Sequence, residues 1–82
     1  MIRVLFFASL RERLQRESLT LEDAGNETVA SLRDRVTEQL PAFAEVLASG
    51  RVLAAVNETM AGDGTPVRNN DTVAFFPPVT GG

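Results

Sequence analysis

The residues of this chain best suited to chemistry sit together in one run, Pro77-Pro78-Val79-Thr80-Gly81-Gly82. The two prolines lack the N–H that a β-ladder needs and stiffen the chain, while two glycines leave its tip without side chains. Fully extended, six residues reach about 20 Å. Such a segment can pass through a narrow channel and present an α-carboxylate inside another protein. Elsewhere the chain is poor in catalytic groups. Cys, His, Trp and Tyr are all absent. That removes thiolate and imidazole chemistry, a disulfide framework, the commonest metal ligands and the usual stacking platforms for bases. Eight Arg against eleven Asp and Glu leave a net charge of −3, the wrong sign for a phosphate-backbone binder. No Gly-rich phosphate loop is present. This composition argues against conventional enzymology, and the reading is a chain with no cofactor or metal of its own and no nucleic-acid partner.

The elements that must carry this run belong to one small domain, since 82 residues with 44% hydrophobic and 23% charged side chains have ordinary globular composition. The apolar opening Ile2–Ala8 is interrupted by Arg3 and too short to span a membrane, and the charged run Arg11-Glu12-Arg13 follows without a cleavage site. The reading is a cytoplasmic protein with no membrane partner. Asn26-Glu27-Thr28, Asn57-Glu58-Thr59 and Asn70-Asp71-Thr72 then match the glycosylation sequon only because Asn and Thr gather in turns and caps.

Alternation predicts a strand over residues 2–8, with Ile2, Val4, Phe6 and Ala8 on one face and Arg3, Leu5 and Phe7 on the other. Residues 9–16 form a charged connection with room for one helical turn. Residues 17–23 alternate again, Leu19 and Leu21 inward. Thr28 is placed to cap a helix whose apolar stripe is Val29, Leu32, Val36 and Leu40, and Pro41 stops it. A shorter helical piece carries Phe43, Val46 and Leu47 and leaves through Gly50. Residues 51–57 read as a third strand with small residues at its centre. Turns follow at Gly62-Asp63-Gly64 and Asn69-Asn70-Asp71 around a short extended piece, Thr65-Pro66-Val67. Residues 72–76 form the last strand, which Pro77-Pro78 ends. Two strands, a helix and two strands specify an α+β fold, a ubiquitin-like β-grasp with a mixed four- to five-stranded sheet on one main helix. Residues 1–76 would form the domain and residues 77–82 a flexible tail.

Strand alternation also predicts an outward face. If Ile2, Val4, Phe6, Val73 and Phe75 face the helix, Phe7 and Phe76 point the other way, and Met60, on the turn beyond the third strand, can join them. Exposed apolar clusters of this kind mark interaction sites.

The sequence resembles the family of molybdopterin synthase small subunits, ubiquitin-like sulfur carriers of molybdenum cofactor biosynthesis. The likeness covers the whole chain and is densest at Ile2–Ala8, Leu53–Asn57 and Val73–Gly82, with Thr28–Arg33 also similar and 9–24 and 58–70 matching loosely. The resemblance implies that an ATP-dependent, E1-like activating enzyme adenylates the Gly82 carboxylate. Sulfur from a cysteine desulfurase or rhodanese-like protein then leaves a C-terminal thiocarboxylate. It further implies that Pro77, Pro78, Val79, Thr80 and Gly81 guide Gly82 into the large, catalytic subunit of a heterotetramer, where sulfur passes to cyclic pyranopterin monophosphate. Phe7, Met60 and Phe76 are the implied contacts with that subunit. The chain would be the non-catalytic sulfur-donor subunit of the synthase. Three alternatives remain on sequence: a sulfur carrier for thiamine thiazole formation or tRNA thiolation, a ubiquitin-like protein modifier, and a plain adaptor domain.

Overall fold

A computed structural model describes residues 1–78. The chain runs β1 (Ile2–Phe6), α1 (Ser9–Leu14), β2 (Ser18–Leu21), β3 (Glu27–Thr28), α2 (Val29–Gln39), α3 (Ala42–Ser49), β4 (Leu53–Val56), β5 (Thr59–Ala61), β6 (Pro66–Val67) and β7 (Thr72–Phe76). Five strands form one sheet in the order β2-β1-β7-β4-β5, and β3 pairs with β6 in a separate ribbon. β1 and β7 run parallel at the centre, and the other neighbours are antiparallel. This is the expected α+β, ubiquitin-like β-grasp with a mixed sheet.

The local causes are those of the sequence. Thr28 caps α2: its hydroxyl accepts from the Ser31 N–H at 3.2 Å, and the Thr28 N–H donates to Ser31 Oγ at 2.9 Å. That reciprocal pair satisfies two of the amides that a helix start leaves free. The stripe Val29, Leu32 and Val36 is wholly buried, and the helix stops before Pro41. From α3, Phe43 lies between Phe6 and Phe75, with ring centroids 5.7 Å and 5.4 Å away and tilted planes. Ala54 stands opposite Phe75 in the β4–β7 register, so the small residue leaves room for that ring. Leu19 and Leu21 of β2 close the same core.

Several boundaries differ from the sequence reading. β1 ends at Phe6 rather than residue 8, because Ala8 takes a positive φ of 54° and turns the chain into α1. Ala8 is consequently exposed rather than part of the inward row. The connection at 9–16 holds a genuine helix, whose Leu10 enters the core. The strands expected over 17–23 and 51–57 are shorter at both ends. β5 occupies residues assigned to a turn. Asn57 and Glu58, at φ 48° and 71°, form a two-residue link between Val56 and Thr59. Two positive φ values match the twist of a tight hairpin, but glycine normally takes the second position, and Glu58 hides the signal.

Glu27 is a buried charge that periodicity does not reveal. Its side chain is 3% exposed, and it accepts from Arg35 Nη1 and from Ser31 Oγ. The pair fastens the β3–β6 ribbon to α2. Replacing Arg35 by Leu strands a carboxylate in the protein interior; because the Arg35 side chain is 28% exposed, water relieves part of the cost. The expected loss is about 1–3 kcal/mol in urea unfolding, with Glu27→Gln losing less because the amide still accepts a hydrogen bond.

Candidate functional site: an apolar sheet face

The face of the sheet turned away from α2 is built by register. Leu5 pairs with Ala74, Ala74 with Ala55 and Ala55 with Met60, so these four residues cross β1, β7, β4 and β5 in one row. Phe76 and Leu53 form the next row, and Phe7 follows directly after β1 on the same side. The backbone N–H of Phe7 donates to the Phe75 carbonyl at 3.2 Å, which holds Phe7 beside the end of β7. Phe7 is 45% exposed and Met60 62%, while Phe76, Leu5 and Ala74 are half-buried. Ala55 is shielded by its larger neighbours yet stands outside the core cluster.

Small residues in the middle of the row and large ones at its ends make the face concave. A hollow of about 360 Å³ lies between Leu5, Phe7 and Ala74 on one side and Asn57, Glu58 and Thr72 on the other. A larger hollow of about 480 Å³ lies between the helices and β4–β5, but its Arg33 is already bound to Asp63 at 2.7 Å. The outward face is the better docking surface, because large apolar side chains on it have no cover within the domain.

The structure therefore brings Phe7, Met60 and Phe76 to one face, as alternation predicts, with Met60 on β5 rather than on a turn. Pro77 and Pro78 follow β7 and are half-buried. Val79, Thr80, Gly81 and Gly82, the remaining residues of the expected site, lie outside the described residues. Among the described residues no group of His, Cys, Asp and Glu could hold a metal ion, and no helix is long and apolar enough to cross a membrane.

Sequence reasoning missed the polar clamp beside the hollow. Asn57 donates its backbone N–H to the Thr72 carbonyl at 2.8 Å and accepts the Thr72 N–H on Oδ1 at 2.9 Å. Its Nδ2 also donates to Asp71 at 2.9 Å. One side chain thus ties the β4–β5 hairpin to the start of β7 and fixes where Met60 sits. The only sequence signal was Asn in a turn, where a positive φ is tolerated.

Asp71 also accepts the Arg68 N–H at 2.8 Å, and this bond, then the one from Asn57, holds its carboxyl below the usual carboxylate range. The Arg33 guanidinium does the same to Asp63, chiefly by its hydrogen bond. A carboxylate with a depressed native pKa adds stability above the unfolded value of about 4 and loses it as pH falls through the native value. The urea midpoint is therefore expected to fall below about pH 4. Asp71→Asn should be weaker at neutral pH, and its gap from the parent should close in acid.

Fold and face together define a ubiquitin-like domain that offers an uncovered sheet surface beside its last strand. Residues 4–82 match the ThiS family, and the chain belongs to it. The chain is 44% identical over 82 residues to the molybdopterin synthase sulfur carrier subunit of Escherichia coli (strain K12), with both chains covered completely. It superimposes on the crystal structure of SAMP1 from Haloferax volcanii with a TM-score of 0.85 at 25% identity, covering 99% of this chain and 98% of that one. A TM-score of 0.68 at 23% identity relates its fold to a protein–protein complex of subunits 1 and 2 of molybdopterin-converting factor from Helicobacter pylori 26695, with 99% of this chain and 97% of that chain covered.

Proposed function

We propose that this chain is the sulfur-carrier subunit of a molybdopterin synthase. The observation that carries the reading is its identity of 44% with a carrier subunit of that name, matched from end to end of both chains. The Gly82 carboxylate is a poor electrophile, so an ATP-dependent activating enzyme first converts it to an acyl-adenylate. A persulfide-derived sulfur then attacks the acyl carbon, AMP leaves, and a thiocarboxylate remains. That sulfur is donated to cyclic pyranopterin monophosphate in the large subunit, and two such transfers complete the dithiolene. The chain supplies no catalytic side chain to these steps. Its contribution is docking through Phe7, Met60 and Phe76, with Pro77 and Pro78 stiffening the chain ahead of the residues that carry the sulfur.

The fold is shared with a protein solved as a complex of subunits 1 and 2 of molybdopterin-converting factor from H. pylori, which is in keeping with a second subunit as partner. Intact mass after incubation with ATP, the activating enzyme and a sulfur donor tests the reading: the product should be heavier by the oxygen-to-sulfur difference, at Gly82. An unchanged mass would overturn it. The fit to SAMP1, a small archaeal modifier protein by name, favours a protein modifier as the second reading. Amide-linked adducts surviving denaturation, in place of a free thiocarboxylate, would select it.

A further inference from the structure

We propose that the activated carrier cannot acylate the side chains of other copies of itself, because every cationic side chain it presents is a guanidinium. This rests on the activation of Gly82 proposed above. All eight cationic side chains of the 82 residues are Arg and none is Lys. Six of them, Arg3, Arg11, Arg13, Arg16, Arg51 and Arg68, are exposed. An acyl-adenylate reacts readily with a free amine: the nitrogen attacks the acyl carbon, the C–N bond forms, the C–O bond to phosphate breaks, AMP leaves and a proton goes to solvent. A thiocarboxylate consumed in the same way would release hydrosulfide.

The geometry makes guanidinium a matter of reactivity and not of folding at several of these positions. Arg33 and Arg35 pair with Asp63 and Glu27, and Arg13 donates to Ser49 Oγ at 2.8 Å. Among the described residues the side chains of Arg3, Arg51 and Arg68 make no hydrogen bond or ion pair, so an ammonium would serve there equally well as a solvated charge. Near pH 8.5 a lysine is unprotonated about a thousand times more often than an arginine, given their ordinary pKa values. The remaining primary amine is that of Met1, which donates to Asn69 Oδ1 while the Met1 carbonyl accepts the Asn70 N–H at 2.9 Å. The carrier is thereby a donor whose neighbours offer it no side-chain amine.

The test compares the parent chain with Arg51→Lys and Arg68→Lys, each at high concentration with ATP and the activating enzyme and no sulfur donor. Pyrophosphate release reports activation, and mass spectrometry under denaturing conditions reports adducts. The expected result is equal activation of all three, no side-chain adduct from the parent, and two-chain amides in the variants that map to the new lysine. Adducts on any side chain of the parent would overturn the proposal, as would variants that activate yet form no adduct at the new lysine. Absence of pyrophosphate release from every chain would instead remove the proposed function on which it stands.

Discussion

Deleting Gly82 is expected to abolish sulfur transfer to the pterin precursor while leaving the thermal midpoint unchanged. Among the described residues the core cluster draws its last member, Phe75, from β7, seven positions before the deleted glycine. What is lost is position. With Gly81 as the new end, the carboxylate falls about 3.5 Å short of its place in the partner, whereas a displacement of about 1 Å can cost a hundredfold in rate. Gly81→Ala should fold equally well and act slowly, because a β-carbon narrows the backbone choices of a segment that must fit a channel. Single-turnover transfer with the large subunit, run beside thermal melts, measures both. A truncated chain that still converted the precursor would end the carrier reading.

Phe75→Ala and Phe76→Ala should have opposite consequences although the residues are neighbours. Phe75 is wholly buried against Phe43 and opposite Ala54. Its removal leaves a cavity that costs about 3–5 kcal/mol, a large share of the roughly 5–15 kcal/mol that holds a native domain together. Phe76 stands on the outward face with Leu53 across from it, so its truncation should cost little stability and about 2 kcal/mol or more in affinity for the large subunit. Urea unfolding and titration calorimetry of both variants give the two numbers separately. Equal destabilisation would mean that both rings are core, and an unchanged affinity for Phe76→Ala would move the interface elsewhere.

These contrasts were legible because β1, β7 and α2 carry strong periodic signals. Ile2, Val4 and Phe6 alternate with Arg3 and Leu5, Val73 and Phe75 alternate with Ala74 and Phe76, and Val29, Leu32 and Val36 recur at helical spacing. Burial enforces such a pattern, so it survives in the sequence. The β3–β6 pairing left no trace, since two residues per strand cannot show a period. β5 was hidden by Glu58 at a position where glycine announces a hairpin. Glu27 and Asn57 act through hydrogen bonds to residues distant in sequence, and polar residues near turns look alike until the turn is folded. The meaning of Gly81-Gly82 came from a resemblance and not from physics, because a pair of glycines by itself specifies only freedom.

The parallel pairing of β1 with β7 also constrains how the molecule is made. Val4 meets Val73 at the middle of the sheet, so the central ladder joins residues about 70 apart and must close a loop holding almost the whole chain. Pairing of that range is slow and comes late. During synthesis, β1 emerges first and has only β2 beside it until residues 72–76 appear, and β4 likewise waits for its central neighbour. A chain broken off before β7 therefore lacks Val73 and Phe75 from its core and the strand that joins β1 to β4, so the outward face is not assembled. Any partner that recognises the folded face meets only molecules whose synthesis has passed residue 76, within a few residues of Gly82.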